Sequence, residues 1–472
     1  MPAQIQSVLE QVANGIVPSK TERDRMAGLA EKLQGQVQSI LKSSGFGGTV
    51  SIQGSYARDT WLSGEADLDI FAAFPSSMDR SDWTEKILPA IKKRIKAKSV
   101  DRFAEHPFLE FHLERIRVNI VPCYSVEKGQ WKSATDRTPF HTEYMQEHLT
   151  AETRLQARLL KQFLKGLRAY GAEIRVGGFS GMLVETLVLQ YKSFLKTLEH
   201  VSSWKPIIFL DLENPVPDQG SRPQEFDTPL VVIDPVDPNR NLAAAVRHDK
   251  LWNFVAASRE MLENPGLWYF FPPKQRPTTK VNLKRVIASS GRDVVAITFR
   301  HDRIVPDVLW GQLLKTEKGL TDLMTRQDFH PLRSVAWSDE VGFSAIIVEL
   351  ESSTLSSIYT RQGPPISKTE DSRGFLDRHL NAKDTIRGPH VENDRWVVDK
   401  KRQIRDVPRL VSIALDDSRL GFSVPDQLKG KSGRSVRVLV NKDVISFHRR
   451  EGFDQVLSDF LAAKPSWLRP HQ

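Results

Sequence analysis

The segment that most constrains this chain is Gly54-Ser55-Tyr56-Ala57-Arg58, followed on the next predicted strand by Asp67-Leu68-Asp69. Side chains alternate along a strand, so a strand over 66–74 turns both carboxylates to the same side. Two like charges on one buried face repel each other and lose hydration. A divalent cation relieves both costs, and Mg²⁺ favours a few carboxylates completed by phosphate oxygens and water. Glycine at 54 lets backbone come close to a ligand. A short helix after Ser55 would aim free N–H groups and its dipole at a triphosphate, with the Ser55 hydroxyl and the Arg58 guanidinium beside them. Gly-Ser alone is usually a turn, and Asp-x-Asp alone a solvated pair. In this order, in a strand–turn–helix–strand setting, they point to phosphoryl transfer at a metal.

The surrounding pattern supplies the elements such a site needs. Met26, Leu29, Leu33, Val37 and Ile40 recur at spacings of three and four, which predicts an amphipathic helix over 22–42. Residues 49–53 and 116–123 read as strands. Residues 153–168 read as a helix with Leu155, Leu159, Phe163 and Leu167 on one face. Arg154, Arg158, Lys161, Lys165 and Arg168 fall on the other, so five cations line one side. The polar, Pro-rich stretch 213–229 reads as a long loop, and helical patterns return over 242–262. Beyond Pro272-Pro273 the style changes to apolar strands at 294–299 and 344–350, separated by helical segments. Boundaries fall near 275 and between 380 and 400.

Length and charge add bounds. A chain of 472 residues suggests about three domains. Lys and Arg exceed Asp and Glu by 67 to 58, a net charge of +9. The excess is clustered, because residues 400–450 hold 13 basic and 5 acidic side chains. A clustered basic excess implies a polyanionic partner. The single cysteine, Cys123, excludes a disulfide scaffold and a multi-cysteine zinc site, and favours a cytoplasmic chain. No run of 18 apolar residues suggests a membrane span, and residues 1–6 lack the features of a secretory signal.

Longer stretches carry a resemblance. Gly54 to Leu62 with Asp67 to Phe71, Ala104-Glu105-His106-Pro107, Val121-Pro122-Cys123-Tyr124 and Asp136-Arg137-Thr138-Pro139-Phe140-His141 closely resemble the archaeal-type (class I) CCA-adding enzymes. So do Leu159-Leu160-Lys161, Tyr170-Gly171-Ala172-Glu173, Gly178-Phe179-Ser180-Gly181 and Asp234-Pro235-Val236-Asp237 with Arg240-Asn241. The resemblance is dense over about 50–260 and thins toward 400. It implies an α+β chain of the polymerase β-like nucleotidyltransferase superfamily. The head would span 1–150, a helical central domain 151–275, and C-terminal α/β RNA-binding domains 276–472. It also implies template-independent addition of C, C and A to the tRNA 3′ end, from CTP and ATP with Mg²⁺. The tRNA would be read at its acceptor stem and elbow, and a homodimer is common in the family. By matching position, Gly54, Ser55 and Arg58 would hold the triphosphate and Asp67 and Asp69 the metal. His141, Lys161 and Tyr170 would contact the incoming nucleotide, and Arg240 would lie beside the base and the tRNA end. Lys161 on the cationic helix face, and Tyr170 with its π-face just after that helix, agree chemically.

One position departs from the pattern. The superfamily places a third carboxylate on a neighbouring strand, and here the matching residue is Asn119. Asparagine offers a metal one neutral oxygen and cannot act as a base. Arg117, two residues earlier, shares its strand face. An introduced change, a slow or inactive natural relative, or a substitute acid at Glu110 or Glu114 would each account for it. Two other readings therefore stand beside CCA addition: a tRNA-binding pseudoenzyme, and a related RNA 3′-nucleotidyltransferase with another acceptor.

Overall fold

The computed structural model describes residues 2–95, 99–103, 107–113, 116–214, 228–273, 278–416, 420–430, 436–450 and 452–469. It is an α+β chain that packs as two compact units, residues 1–274 together with 465–472, and residues 275–464.

In the first unit, α1 (Pro2–Ile16) and α2 (Lys20–Ser43) precede a five-stranded sheet. Ser19 caps α2 by accepting a hydrogen bond from the Glu22 amide. The sheet contains β1 (Thr49–Gln53), β2 (Asp67–Pro75), β3 (Ser99–Phe103), β4 (Pro107–Leu113) and β5 (Ile116–Ser125), in the order β1-β2-β5-β4-β3. Only β2 and β5 pair in parallel. A four-residue helix, α3 (Gly54–Ala57), follows β1 directly. α4 (Arg80–Asp82) and α5 (Leu88–Arg94) flank a π-helical turn.

Alternation along β2 explains the head. Leu68, Ile70, Ala72 and Phe74 join Met26, Leu33 and Val37 of α2 and Trp83 and Ile91 in one core. Asp67 and Asp69 are thereby turned to the opposite face.

Next come α6 (Arg137–His148), α7 (Ala151–Gly166), α8 (Gly181–Tyr191), α9 (Phe194–Ser202), the short parallel pair β6 (Ile208–Leu210) and β7 (Leu230–Val232), and α10 (His248–Glu263). Their apolar faces, with Val8, Val12 and Ile16 of α1, form a second core around Phe163, Phe179, Phe194 and Phe254. Trp467 and Leu468 join this core, and the Trp467 indole donates to Asn253 Oδ1 at 2.9 Å.

Three expectations need correction in this unit. The helix anticipated over 242–262 begins only at His248; Asn241 fixes the preceding turn by accepting from the Val232 and Ala243 amides. The five cations expected along one side of α7 do not form a continuous cationic row, since Arg158 is buried and Lys165 pairs with Glu65. Arg168 lies beyond the helix, which ends at Gly166. Most of the loop expected over 213–229 lies outside the described residues.

The second unit is built on a four-stranded antiparallel sheet. Its elements are α11 (Lys280–Ser289), β8 (Asp293–Arg300), α12 (Pro306–Arg326), β9 (Pro331–Ser338) and β10 (Phe343–Leu350). A three-stranded sheet follows: β11 (Ile358–Pro365), α13 (Thr369–His379), β12 (Thr385–Glu392) and β13 (Arg395–Lys401), ordered β11-β13-β12. The boundary expected between 380 and 400 instead falls within this β12–β13 hairpin. α14 (Val407–Asp416), α15 (Asp426–Lys429), β14 (Arg437–Val440) and α16 (Phe453–Ala462) complete the unit, with β14 on the free edge of β8. The order of the larger sheet is β14-β8-β10-β9. Both its faces are covered. Val295, Ile297 and Val348 meet α12 and α14, while Val294, Ala296 and Ile347 meet α11 and α16. This two-sided burial is why these strands read as continuous apolar runs.

The basic window 400–450 is not one free cationic face. Lys400 is buried against Asp384, and Arg402 pairs with Asp328. Among the described residues, no helix is long and apolar enough to cross a membrane.

Candidate active site

The turn from β1 into α3 sets the site. Gln53 is paired with Asp69 across β1 and β2, so the next residue, Gly54, sits directly over the Asp69 carboxylate. Gly54 has φ +74°, and a Cβ added there would stand 2.1 Å from Asp69 Oδ2. Only glycine satisfies both the conformation and the close approach. Gly54→Ala is therefore expected to lower nucleotide transfer by about 10²-fold through misplacement of the turn. It is also expected to cost about 1–3 kcal/mol of stability through left-handed strain. Single-turnover rates and thermal melting check both; unchanged values would contradict this account of the turn.

The second wall is β5. Its parallel register puts Arg117 opposite Asp67 and Asn119 opposite Asp69. Arg117 ion-pairs with Asp67, and Asn119 Nδ2 donates to Asp69 Oδ1 at 2.9 Å. Burial pushes the Asp69 carboxyl up, the Asn119 hydrogen bond pulls it down, and the neighbouring Asp67 pushes it up again; the net is upward. The hydrogen bond to Asp67 holds the Arg117 guanidinium above its ordinary range. Asn119 Oδ1 is buried and has no hydrogen-bond partner among the described residues.

These residues fit a divalent cation. Two carboxylates share one face, one of them is disfavoured as a bare charge, and an unpartnered amide oxygen lies beside them. No third carboxylate, imidazole or thiol completes a metal-binding cluster among the described residues. Glu110 is in register with Asn119 on β4, one strand further out, and does not join Asp67 and Asp69. Glu114 lies outside the described residues.

The third wall comes from α7 and α8. Arg58 is buried, and its Nε lies 2.7 Å from Glu185 Oε2. The other Glu185 oxygen accepts from the Thr60 hydroxyl. Arg158 donates from Nε to the Trp61 carbonyl at 2.9 Å and from Nη2 to the Asp59 carbonyl at 2.6 Å. Asp59 adopts φ 52°, so two buried side chains of the helical region fix the loop that closes the α3 turn. Lys161 lies 5.2 Å over the Tyr170 ring. Burial pulls its ammonium down to about 8, against the opposing pull of Glu185. Burial, reinforced by Glu185, pushes the Tyr170 phenol up.

Of the anticipated site residues, Gly54 and Asp69 meet directly, and Asp67 lies on the same face of β2, close enough to act on Asp69. Ser55 is half-buried in the first turn of α3, beside them in sequence. Arg58, Lys161 and Tyr170 gather around Glu185, with Asp67 close enough to act on both Lys161 and Tyr170. His141 and Arg240 belong to a second cluster. His141 is buried with Nε2 2.8 Å from Asp234 Oδ2, and Arg240 Nη1 is 3.2 Å from the same oxygen. Burial works against the Asp234 charge, but the His141 and Val236 hydrogen bonds and Arg240 hold its carboxyl below the usual range. Arg137 reaches Asp237 at 2.6 Å next to it. The His141 ring nitrogen expected to meet a nucleotide thus faces a carboxylate.

Sequence reasoning missed the roles of Glu185, Arg158 and Asp234. Asp234 and Arg158 stood in the quoted motif and cationic face without a role, and Glu185 carried a signal of its own as the sole acid in the apolar run Gly181-Met182-Leu183-Val184-Glu185-Thr186-Leu187-Val188-Leu189.

Comparisons with known proteins cover nearly the whole chain. Residues 31–141 match the family described as nucleotidyltransferase domain, 156–271 the tRNA nucleotidyltransferase second domain, and 290–434 the CCA-adding enzyme C-terminal domain. A CCA-adding enzyme of Haloarcula marismortui is 32% identical over 480 residues, covering 98% of this chain and 100% of the relative. One of Methanosarcina barkeri is 35% identical over 418 residues, covering 88% and 90%. One of Methanopyrus kandleri is 35% identical over 392 residues, covering 79% and 80%. With a nucleotidyltransferase sheet carrying paired aspartates under a Gly-Ser turn, and relatives of this identity along its full length, the chain belongs to the archaeal-type CCA-adding enzyme family of tRNA nucleotidyltransferases.

Proposed function

We propose that this chain adds C, C and A to the 3′ end of tRNA, using CTP and ATP at a site where Asp67 and Asp69 hold Mg²⁺. The carrying observation is the seating of Asp69 beneath Gly54 with Asp67 on the same strand face, and Asp67 and Arg58 close enough to act on Lys161. In the reaction, the tRNA 3′-hydroxyl forms a bond to the α-phosphorus, the bond to the β-phosphate bridging oxygen breaks, and pyrophosphate leaves. A divalent ion at the aspartate pair supplies charge neutralisation on the phosphates and acidity to the attacking hydroxyl.

The protein's own groups do the rest. Gly54 and the first turn of α3 bring backbone N–H donors close to phosphate oxygens. Arg58, aimed by Glu185, and Lys161, seated on Tyr170, supply cations at the triphosphate end. Asn119 cannot accept the hydroxyl proton, so that proton leaves to water or to the Asp pair. Arg240, tethered to Asp234 with His141, is assigned to the base and the tRNA end. The tRNA is assigned to bind by its acceptor stem and elbow, through shape and backbone contacts that let one enzyme serve many tRNAs. Such maturation assigns the protein to the cytoplasm.

The test incubates purified protein with tRNA lacking its CCA end, together with labelled CTP and ATP and Mg²⁺. Extension by three nucleotides is expected. No extension at high protein concentration, beside an active control enzyme, would overturn the reading. A second reading has a specific observation behind it. Arg117 on Asp67 and an amide at 119 suit a protein that binds tRNA and nucleotide without joining them. Tight tRNA binding with no incorporation would favour it.

Lys161 gives the site a pH dependence. With its ammonium pulled down to about 8, it is a cation at pH 7 and mostly neutral by pH 9. The triphosphate charge does not fall over that range. The KM for CTP is therefore expected to rise by up to about tenfold between pH 7 and 9. Lys161→Met is expected to start from a higher KM and to flatten the profile. An unchanged slope in that variant would remove Lys161 from nucleotide binding.

A further inference from the structure

The geometry points to Arg117 as a resident counter-ion that a divalent metal must displace from Asp67, so that metal and nucleotide enter this site together. The inference rests on the reading of Asp67 and Asp69 as metal ligands.

The observation is a matched pair of donors on one strand. β5 runs parallel to β2 and sets Arg117 against Asp67 and Asn119 against Asp69 in successive same-face positions. The guanidinium ion-pairs with Asp67, and the amide Nδ2 donates to Asp69 Oδ1 at 2.9 Å. Each carboxylate thus meets a donor exactly one strand away, and in neither case is that donor a metal ligand in its present orientation. The third carboxylate, which would add a negative charge, is absent, and a cation stands two residues before its place. Together these changes lower the negative charge that attracts a metal.

Release is built into the same pair. The Arg117 and Asp67 side chains are 46% and 35% exposed, so the ion pair is a weak, solvent-screened one. A guanidinium that leaves Asp67 remains on the face where a triphosphate lies, and can pair there through its planar fork. Asn119 has the complementary option. Its buried Oδ1 accepts nothing among the described residues, so a half-turn of the amide exchanges a donor to Asp69 for an oxygen toward a metal. Nucleotide phosphates give both side chains a reason to turn, because they attract Arg117 and bring ligands to the metal. Arg117 is on this account a positioning residue whose charge sets when the metal binds.

The test is Mn²⁺ titration of nucleotide-free protein, with free metal read by electron paramagnetic resonance. The wild type is expected to bind weakly. Arg117→Gln is expected to bind roughly tenfold more tightly, because it removes a positive charge a few ångströms from a dication. Arg117→Lys, which keeps the charge, is expected to stay near wild type, an outcome that a merely steric role would not produce. Adding a non-hydrolysable CTP analogue is expected to tighten wild-type Mn²⁺ binding and to shrink the gap to Arg117→Gln. Equal Mn²⁺ affinities for wild type and Arg117→Gln would overturn the inference. If Asp69→Asn then abolished binding in both, the assignment of the aspartates would still stand. Binding that survives Asp69→Asn in every variant would instead overturn that assignment.

Discussion

Asp69→Asn is expected to reduce nucleotide transfer by at least about 10³-fold, equivalent to about 4 kcal/mol of transition-state stabilisation. The substitution is nearly isosteric. The amide keeps an oxygen that can accept from Asn119 Nδ2, and the apolar side of β2, where Leu68 and Ile70 are fully buried, is untouched. What disappears is one of the two charges proposed to hold the metal. The expected effect on stability has the opposite sign. Burial raises the Asp69 carboxyl, so its folded-state pKa exceeds its unfolded one. A group shifted this way contributes stability at pH values below its unfolded pKa and loses it as the pH rises through the folded pKa. At pH 7, without metal, the ionised carboxylate therefore costs stability, and the neutral isostere melts at a higher temperature. Loss of transfer together with a raised Tm and undiminished tRNA binding would mark a functional charge that the fold carries at its own expense. A lowered Tm would show that the carboxylate supports the fold instead.

Asn119→Asp is expected to raise the single-turnover rate by about 10²–10⁴-fold, or roughly 3–5 kcal/mol. The new carboxylate would stand opposite Asp69 on β5, two residues from Arg117 on the same strand face. It restores both a charged metal ligand and a group able to take the hydroxyl proton. It also puts a third negative charge on a face where burial already disfavours one, so the metal-free variant is expected to melt below wild type and to recover with Mg²⁺. Rate and melting should be measured on the same preparation, with and without metal. A variant that gains nothing in rate would show that position 119 is not the missing third ligand.

How far the sequence carried these conclusions depends on the range of the interactions. The β2 face was legible because alternation is a local rule, and it correctly put Asp67 and Asp69 together, with Leu68 and Ile70 behind them. The strand 49–53 was legible for the same reason, and 294–299 and 344–350 as continuous apolar runs, the mark of strands covered on both faces. The 3.6-residue period of α7 gave its sidedness equally well, but not what lay opposite. Its five cations were read as lining one side, whereas Arg158 is buried against the 59–61 loop, 97 to 99 residues away in sequence. The Glu185–Thr60 contact spans 125 residues and the His141–Asp234 contact 93, and no periodicity reports such pairs. At 242–247 local propensity misled. Leu242 and the alanines after it favour helix, but Asn241 holds a turn through its side chain. The basic excess after residue 400 was real as arithmetic, yet a sum of charges says nothing about which of them the fold neutralises.

The return of Trp467 and Leu468 to the first unit has a consequence for biosynthesis. Trp467 stacks on Tyr269 with ring centroids 5.9 Å apart and completes a core whose other members come from residues 5–270. A ribosome releases those residues well before Trp467, which follows only after the whole of 275–464 has been made. The first unit is thus left with an open seam throughout translation of the other unit, until Trp467 and Leu468 arrive to seal it. A chain stopped before residue 467 would hold the site residues on an unfinished support, with the face of Tyr269 that Trp467 covers left bare.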